Sequence, residues 1–241
     1  MKSSETAEEH LCAIRALMER STIYRAISAP VALAGGILGI VAGAVLWWIG
    51  GKFYAHGEGS GWLPFVMTWI VGYLIVEGIN FTMIYRNARY RGDRFLSPGL
   101  KHAVRSLAPP LLCGCVTGVS LAVFLNDLGL CAIVWVIFFG LALLSTSSFA
   151  PVSITWLGRA FALAGMITLP CYLALTGEET NRFQVAALIM AVTFGLFHLM
   201  YAAAITGAHA LRFEEGAKAT AVPNVTGSTQ APVDNRFRSA S

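Results

Sequence analysis

The chain has 241 residues, of which 56% are hydrophobic and only 12% are charged, with a formal net charge of +4 at pH 7. A soluble domain of this size could not hide so much apolar surface from water. The composition therefore excludes an ordinary soluble protein and indicates that lipid is the main solvent.

Residues 1–29 form a charged N-terminal segment. Thr6 followed by Glu9 is a capping-box pattern, and apolar residues recur at helical spacing from Leu11 onward. The segment lacks a continuous apolar region with a small-residue cleavage site, so it does not resemble a cleavable signal peptide. We predict a cytoplasmic amphipathic helix over residues 5–28, lying on the membrane interface, on its own bundle or on a partner protein.

Six apolar segments approach the length of about 20 residues that a helix needs to cross a hydrocarbon core of about 30 Å. In chain order they are 30–50, 62–84, 109–127, 130–148, 156–176 and 183–206. They predict an all-α fold, a polytopic transmembrane bundle of six helices over residues 30–206. Residues 207–241 are polar and lack periodicity, which predicts a largely disordered cytoplasmic tail.

Several residues mark the ends of these segments. Pro109 and Pro110 are predicted to open the third helix, where proline is tolerated. The short stretch from Asn126 to Gly129 predicts a tight helical hairpin between the third and fourth spans. The hydroxyl groups of residues 145–148 are predicted to bond the last carbonyl groups of the fourth helix.

Lysine and arginine are distributed unevenly between the two predicted faces. Fifteen lie in the N-terminal segment, the 85–108 loop, the 149–159 stretch and the tail, whereas the other loops hold only Lys52 and Arg182. The positive-inside rule therefore places both termini in the cytoplasm. Two aromatic belts agree with this orientation; their members are Trp47, Trp48 and Trp62 on the outer side and Tyr24, Tyr85 and Trp156 on the inner side.

The run from Tyr85 to Arg91 interleaves aromatic and basic residues. In a soluble protein such a run could indicate an RNA partner. Beside a membrane span it is predicted to set the topology and to touch anionic lipid headgroups. We therefore predict contact with the lipid bilayer and no nucleic-acid partner.

Glycines recur at four-residue spacing on two spans. Gly35, Gly39 and Gly43 do so on the first, and Gly114 and Gly118 on the third. Small residues four apart lie on one helix face and let two backbones approach closely. The face made by Gly35, Gly39 and Gly43 is predicted to pack helices within one chain, with a dimer interface as the alternative.

Glu77 and His198 are ionisable residues within the predicted second and sixth spans. Each lies sixteen residues from a predicted outer boundary, at Gly61 and Arg182 respectively, so both are expected at a depth of about 24 Å. An unpaired charge in the hydrocarbon costs on the order of 3 kcal/mol, so each needs a partner or must be neutral. Glu77 and His198 either form a pair, which a proton relay could use, or are satisfied separately.

Motifs that carry catalysis or bind cofactors are absent from the sequence. It contains no G-x-x-x-x-G-K-S/T, H-E-x-x-H or G-x-S-x-G pattern. Cys113 and Cys115 are separated by one residue and have no nearby histidine or further cysteine to complete a tetrahedral metal site. We predict no catalytic residue, no cofactor and no metal ligand.

Four stretches of the chain resemble a family of small uncharacterised bacterial membrane proteins; they are residues 18–21, 107–110, 138–143 and 194–201. The resemblance covers most of residues 11–213 and leaves the tail unmatched. It implies six spans in a bacterial inner membrane and no established activity. The cytoplasmic helix, basic loop and tail, together with outer loops too short for a domain, favour a non-enzymatic accessory or regulatory membrane component with a protein partner on the cytoplasmic side. The main alternative is a small ion-coupled or proton-coupled transporter that uses Glu77 and His198, and an intramembrane enzyme is a lesser alternative.

The topology can be tested with single cysteines placed at Gly57 and Gly92 in a cysteine-free background. Because of the cation asymmetry, an impermeant thiol reagent should label Gly57→Cys on intact cells and Gly92→Cys only after permeabilisation. The reverse pattern of labelling would invert the predicted orientation.

Overall fold

The computed structural model describes residues 29–53, 61–92, 98–177 and 180–208. This part of the chain contains six helices that are long and apolar enough to cross a membrane. They are α1 (Ala29–Phe53), α2 (Trp62–Arg91), α3 (Pro98–Phe124), α4 (Leu128–Ser145), α5 (Val152–Leu175) and α6, which begins as Arg182–Met190, continues as a π-helical segment over Ala191–Phe197 and ends at Ala208.

The six-helix prediction is confirmed, and the protein is an all-α, multi-pass membrane protein. Its helices are close to the predicted spans but extend beyond most of them. The predicted amphipathic helix over residues 5–28 lies outside the described residues. So does the predicted tail, apart from the end of α6.

The region between α2 and α3 differs from the prediction. Most of the predicted 85–108 loop is helical, because α2 continues to Arg91 and α3 begins at Pro98. The predicted place of Pro109 and Pro110 at a helix start is therefore wrong, since both lie inside α3. Hydropathy detects only the part of a helix that lies in lipid, whereas α3 begins eleven residues before Pro109 in a basic stretch.

An interior proline leaves a carbonyl group without its helical partner. Pro110 has no N–H to donate to the carbonyl of Ser106, four residues earlier. The Ser145 hydroxyl of α4 donates to that carbonyl over 2.8 Å. A neighbouring helix thus satisfies the group that the proline exposes, as is common where proline occurs in membrane helices.

The hairpin between α3 and α4 is confirmed and has a simple local cause. Asn126 has a φ of 51°, in the left-handed region that asparagine tolerates better than most residues. Asp127 then caps α4, since its side chain accepts a hydrogen bond from the Leu130 backbone N–H over 3.0 Å. At the other end of α4, the Thr146 hydroxyl donates to the Leu143 carbonyl, and the Ser145 hydroxyl shares its single proton between the carbonyls of Ala142 and Ser106. The predicted bonding of the last carbonyls of α4 is thus seen at two of the four hydroxyl residues.

Consecutive helices run antiparallel, so the bundle has two ends. We call the end where α1 finishes and α6 begins the hairpin end, because the α3–α4 turn lies there. The exposed Trp47 and Trp48 lie toward it, whereas the exposed Tyr85 and Trp156 lie toward the opposite end. These four aromatic residues therefore divide between the two ends as the predicted belts require.

α1 and α6 cross at very short range through small residues. A Cβ atom added to Gly39 would lie 2.9 Å from the Gly195 backbone nitrogen, and one added to Gly43 would lie 2.5 Å from the Ala191 Cβ. Gly35 instead faces Val76 of α2, where an added Cβ would make an ordinary contact at 3.4 Å. Gly39 and Gly43 therefore pack against α6 within the chain, while Gly35 does not belong to that face.

The third-span glycines also lie at a helix contact. A Cβ added to Gly114 would lie 2.5 Å from the Phe138 Cβ, and one added to Gly118 would overlap the Trp135 ring. Both aromatic residues belong to α4, so these glycines let the α3–α4 hairpin close tightly.

Aromatic rings fill the interior between α2, α4, α5 and α6. Phe65 of α2 lies 6.4 Å from Trp135 and 5.8 Å from Phe183, measured between ring centroids. Phe161 of α5 lies 4.8 Å from Phe139. Phe65 and Phe161 are fully buried, so the helices meet through large rings where glycines do not bring the backbones together.

The α1–α6 contact can be tested by placing the same bulky side chain at two glycines. Gly39→Leu should lower the free energy of unfolding by roughly 1–3 kcal/mol, because leucine would overlap the Gly195 backbone. Thermal aggregation of the detergent-purified variants measures this loss of stability. The control is Gly78→Leu, since a Cβ at Gly78 meets nothing within 4 Å. Equal midpoints for the two variants would contradict the close contact.

Candidate functional site

At the hairpin end, the Asp127 side chain accepts hydrogen bonds from residues of three helices. Besides capping α4, it accepts a hydrogen bond from the Tyr172 hydroxyl of α5 over 2.6 Å. Its other carboxylate oxygen accepts a hydrogen bond from the Arg182 guanidinium of α6 over 2.9 Å. We call Asp127, Tyr172 and Arg182 the Asp127 cluster.

The two charged members of the cluster differ in exposure. The Asp127 side chain is 10% exposed, whereas that of Arg182 is 46% exposed. Arg182 can therefore stay solvated while it pairs with Asp127, and solvent weakens this ion pair. The hydrogen bond from Tyr172 is buried and is expected to contribute more to stability.

Gly129 makes the approach of Tyr172 possible. A Cβ atom at Gly129 would overlap the Tyr172 ring. The ring therefore contacts the first turn of α4, in a space that the side chain of any other residue at position 129 would occupy. Asp127 and Gly129 together fix the distance between α4 and α5 at this end.

α1 is attached to the same end through two amide side chains at the start of α6, where Asn181 is the N-cap residue and Gln184 lies in the first turn. The Asn181 amide donates to the Gly50 carbonyl over 3.0 Å, and the Gln184 amide donates to the Trp47 carbonyl over 3.1 Å. Gly50 is among the last four residues of α1, whose carbonyl groups lack an intrahelical partner, and Trp47 lies just before them. The polar groups at the hairpin end therefore hold the helix ends together.

The sequence does not predict that Tyr172 bonds to Asp127. It predicts Asp127 only as part of the hairpin turn and Arg182 only as one of two outer cations. One available signal was an aspartate directly before an apolar run, which is typical of a helix N-cap. No sequence pattern identifies Tyr172 as the partner of Asp127, because the position of Tyr172 depends on how α5 packs against α4.

Glu77 and His198 have separate surroundings in the structure. The Asn80 amide, one turn along α2, donates to a Glu77 carboxylate oxygen over 3.4 Å. His198 lies among aromatic rings, with centroid distances of 5.5 Å to Phe161 and 5.8 Å to Phe139. No hydrogen bond or ion pair joins Glu77 to His198 in the described part of the chain.

Equal depth does not make two residues neighbours, because it leaves the order of helices around the bundle undetermined. α2 packs mainly on α1, and α6 packs on α1 and α4. One contact between α2 and α6 is that of Trp69 with Phe194, whose ring centroids lie 6.2 Å apart. The proposed pairing of Glu77 with His198 thus stays a prediction without a bond to support it.

The opposite end of the bundle carries exposed positive charge. Tyr85, Arg86, Arg89 and Tyr90 line an open cleft of about 380 Å³ near the end of α2. Lys101 and Arg105 of α3 and Arg159 of α5 are also exposed toward this end. Among the described residues the only carboxylates are Glu77 and Asp127, and neither pairs with these cations.

Within the described ranges, no group of three histidine, cysteine, aspartate or glutamate side chains could hold a metal ion. Cys113, Cys115 and Cys171 are exposed, and Cys131 is buried in the core. All four are free thiols. Cys131 packs in the core, and the other three present small apolar side chains on helix surfaces.

The fold and the two polar ends define a multi-pass, all-helical membrane protein. A scan against protein-family models, a search of curated proteins and a search of solved structures each find no match to the chain. The resemblance to a family of small bacterial membrane proteins therefore stays a prediction.

The Asp127 cluster can be tested by removing one bond in two ways. Tyr172→Phe deletes the hydroxyl, and Gly129→Ala displaces the ring that carries it. Each should lower the free energy of unfolding, Tyr172→Phe by about 1–3 kcal/mol because it leaves a buried acceptor with one partner fewer. The double variant should lose less than the sum of the two, because both changes break the same bond.

Stability is measured by denaturant titration of the purified protein in detergent. Gly177→Ala is the control for the glycine change, since an added Cβ there meets nothing within 4 Å. Additive losses in the double variant would show that Gly129 and Tyr172 act independently.

Proposed function

We propose that the protein is a non-enzymatic accessory or regulatory component of a bacterial inner membrane, with both termini in the cytoplasm. The observation that carries this proposal is the difference between the two ends of the bundle. The carboxylate at the hairpin end is fully used in joining helices. The cations at the opposite end, which the positive-inside rule assigns to the cytoplasm, have no carboxylate partner in the described residues.

The interior supports the same proposal. Fully buried Phe65 and Phe161 occupy the space between the helices, and glycines bring α1 against α6 and α3 against α4. Such packing favours a rigid scaffold with its interaction surface at one end. A partner with acidic groups on the cytoplasmic side would complement the basic residues there.

A proton-coupled transporter is the second candidate, and one feature favours it. The π-helical segment Ala191–Phe197 directly precedes His198, whose ring packs among the rings of Phe139, Phe161 and Phe194. π-helical turns inside α-helices occur frequently at functional sites. Glu77 would supply the second titratable group, at the same depth in the membrane.

The accessory function is tested by isolating the tagged full-length protein from its native membranes in mild detergent. A partner should be retained in stoichiometric amount by the parent and lost by Lys101→Gln/Arg105→Gln, because the complex relies on the basic end. Lys52→Gln, at the hairpin end, is the control and should retain it. Capture that is the same for all three proteins would contradict the role of the basic end.

The transporter alternative is tested with the purified protein in liposomes under a pH gradient. An accessory protein should give the same proton flux as empty liposomes. Flux that the parent supports and Glu77→Gln abolishes, with unchanged thermal stability, would instead establish the transporter and overturn the accessory proposal.

A further inference from the structure

We propose that the cleft lined by Tyr85, Arg86, Arg89 and Tyr90 binds the phosphate of an anionic phospholipid headgroup. This inference deepens the proposed function, because it assigns a ligand to the basic end on which that function rests. Its grounds are the position of the cleft along α2, the charges that line it, and the apolar helix face that leads to it.

The position of the cleft corresponds to the headgroup layer. α2 has 30 residues and is therefore about 45 Å long, which exceeds a hydrocarbon core of about 30 Å. Tyr85 follows Trp62 by 23 residues, or about 35 Å. If α2 enters the core near Trp62, the cleft begins where the core ends. Arginine and tyrosine are the residues expected at that depth.

The arginines of the cleft pair with neither of the two carboxylates that the structure describes. Arg86 and Arg89 are three residues apart, so they project from neighbouring positions on one side of α2. Neither forms an ion pair with a described carboxylate, and both are exposed. A guanidinium group presents two parallel donors that match the oxygens of a phosphate. Tyr85 and Tyr90 add ring surface and hydroxyl groups at the interface.

An apolar face of α2 leads from the cleft toward the membrane centre. Phe81 and Leu74 are exposed, and with Gly78 and Tyr85 they follow the helical spacing of one face. A side chain at Gly78 would meet nothing within 4 Å, so the face is open there. The acyl chains of a bound lipid can lie along this face while its phosphate reaches Arg86 and Arg89. A free phosphate ion has no acyl chain and would not contact this apolar face.

The test uses the purified full-length protein in zwitterionic detergent, titrated with phosphatidylglycerol or with phosphatidylcholine. Native mass spectrometry measures the bound lipid. The parent should bind phosphatidylglycerol in preference to phosphatidylcholine. Arg86→Gln/Arg89→Gln should bind phosphatidylglycerol about thirtyfold more weakly, because each arginine near a membrane surface contributes about 1 kcal/mol.

Three controls make the result specific to the cleft. Lys101→Gln/Arg105→Gln removes two charges from the same end outside the cleft and should reduce binding much less. An equal reduction would overturn the proposal in favour of non-specific charge attraction. Arg86→Lys/Arg89→Lys keeps the charge and should bind with intermediate affinity, because lysine lacks the paired donors. Inorganic phosphate at millimolar concentration should not displace the lipid; displacement would assign the cleft to a free phosphate ligand.

The outcome is separable from that of the proposed function, because the purified sample contains no partner protein. Unchanged lipid binding by Arg86→Gln/Arg89→Gln would overturn the lipid site while leaving capture of a protein partner untouched. Conversely, lipid binding that depends on the two arginines would stand even if no partner depended on Lys101 and Arg105. Both arginines are exposed on the surface of α2, and thermal aggregation confirms that each variant is folded.

Discussion

Close contact between the α1 and α6 backbones is the constraint on which the arrangement of this protein depends. Lipid tails are as apolar as leucine, so helices in a membrane associate by close packing and not by escaping water. At Gly39 and Gly195 the two backbones approach so closely that no side chain fits between them. Because α1 also packs on α2, this crossing determines where α2 lies relative to α6. The π-helical segment of α6 includes Gly195 and therefore lies at the same crossing.

Polar interactions then fix the ends that packing alone leaves free. Asp127 accepts hydrogen bonds from the start of α4, from Tyr172 of α5 and from Arg182 of α6. A buried carboxylate with fewer donors would be costly, and here each donor comes from a different helix. The same principle operates at the other end of α4, where Ser145 donates to the Ser106 carbonyl that Pro110 leaves without a partner. Groups that lipid could not satisfy thus become links between helices.

The two ends of the bundle therefore differ in chemistry. At the hairpin end, carboxylate, amide and carbonyl groups bond to one another across the helices. At the opposite end, Arg86 and Arg89 stand exposed without a carboxylate partner in the described structure. Unmatched charge beside a membrane is available to lipid phosphates or to an acidic partner, whereas matched charge stabilises the fold. This difference is the reason for which we propose that the basic end carries the interaction surface.

The sequence by itself determined the number of spans, the tight α3–α4 turn and the hydroxyl bonds at Ser145 and Thr146, because each depends on local hydropathy or on residues close together in the chain. It also indicated the unequal charge of the two ends, since charge is read directly from the residues between spans. Only the tertiary structure decided that Tyr172 contacts Asp127. The sequence gives the depth of a residue along its own helix, so it could match Glu77 with His198 by depth. It could not show which helix lies beside Glu77. The order of the helices around the bundle depends on where small residues let two backbones meet, and therefore on the packing of all six helices.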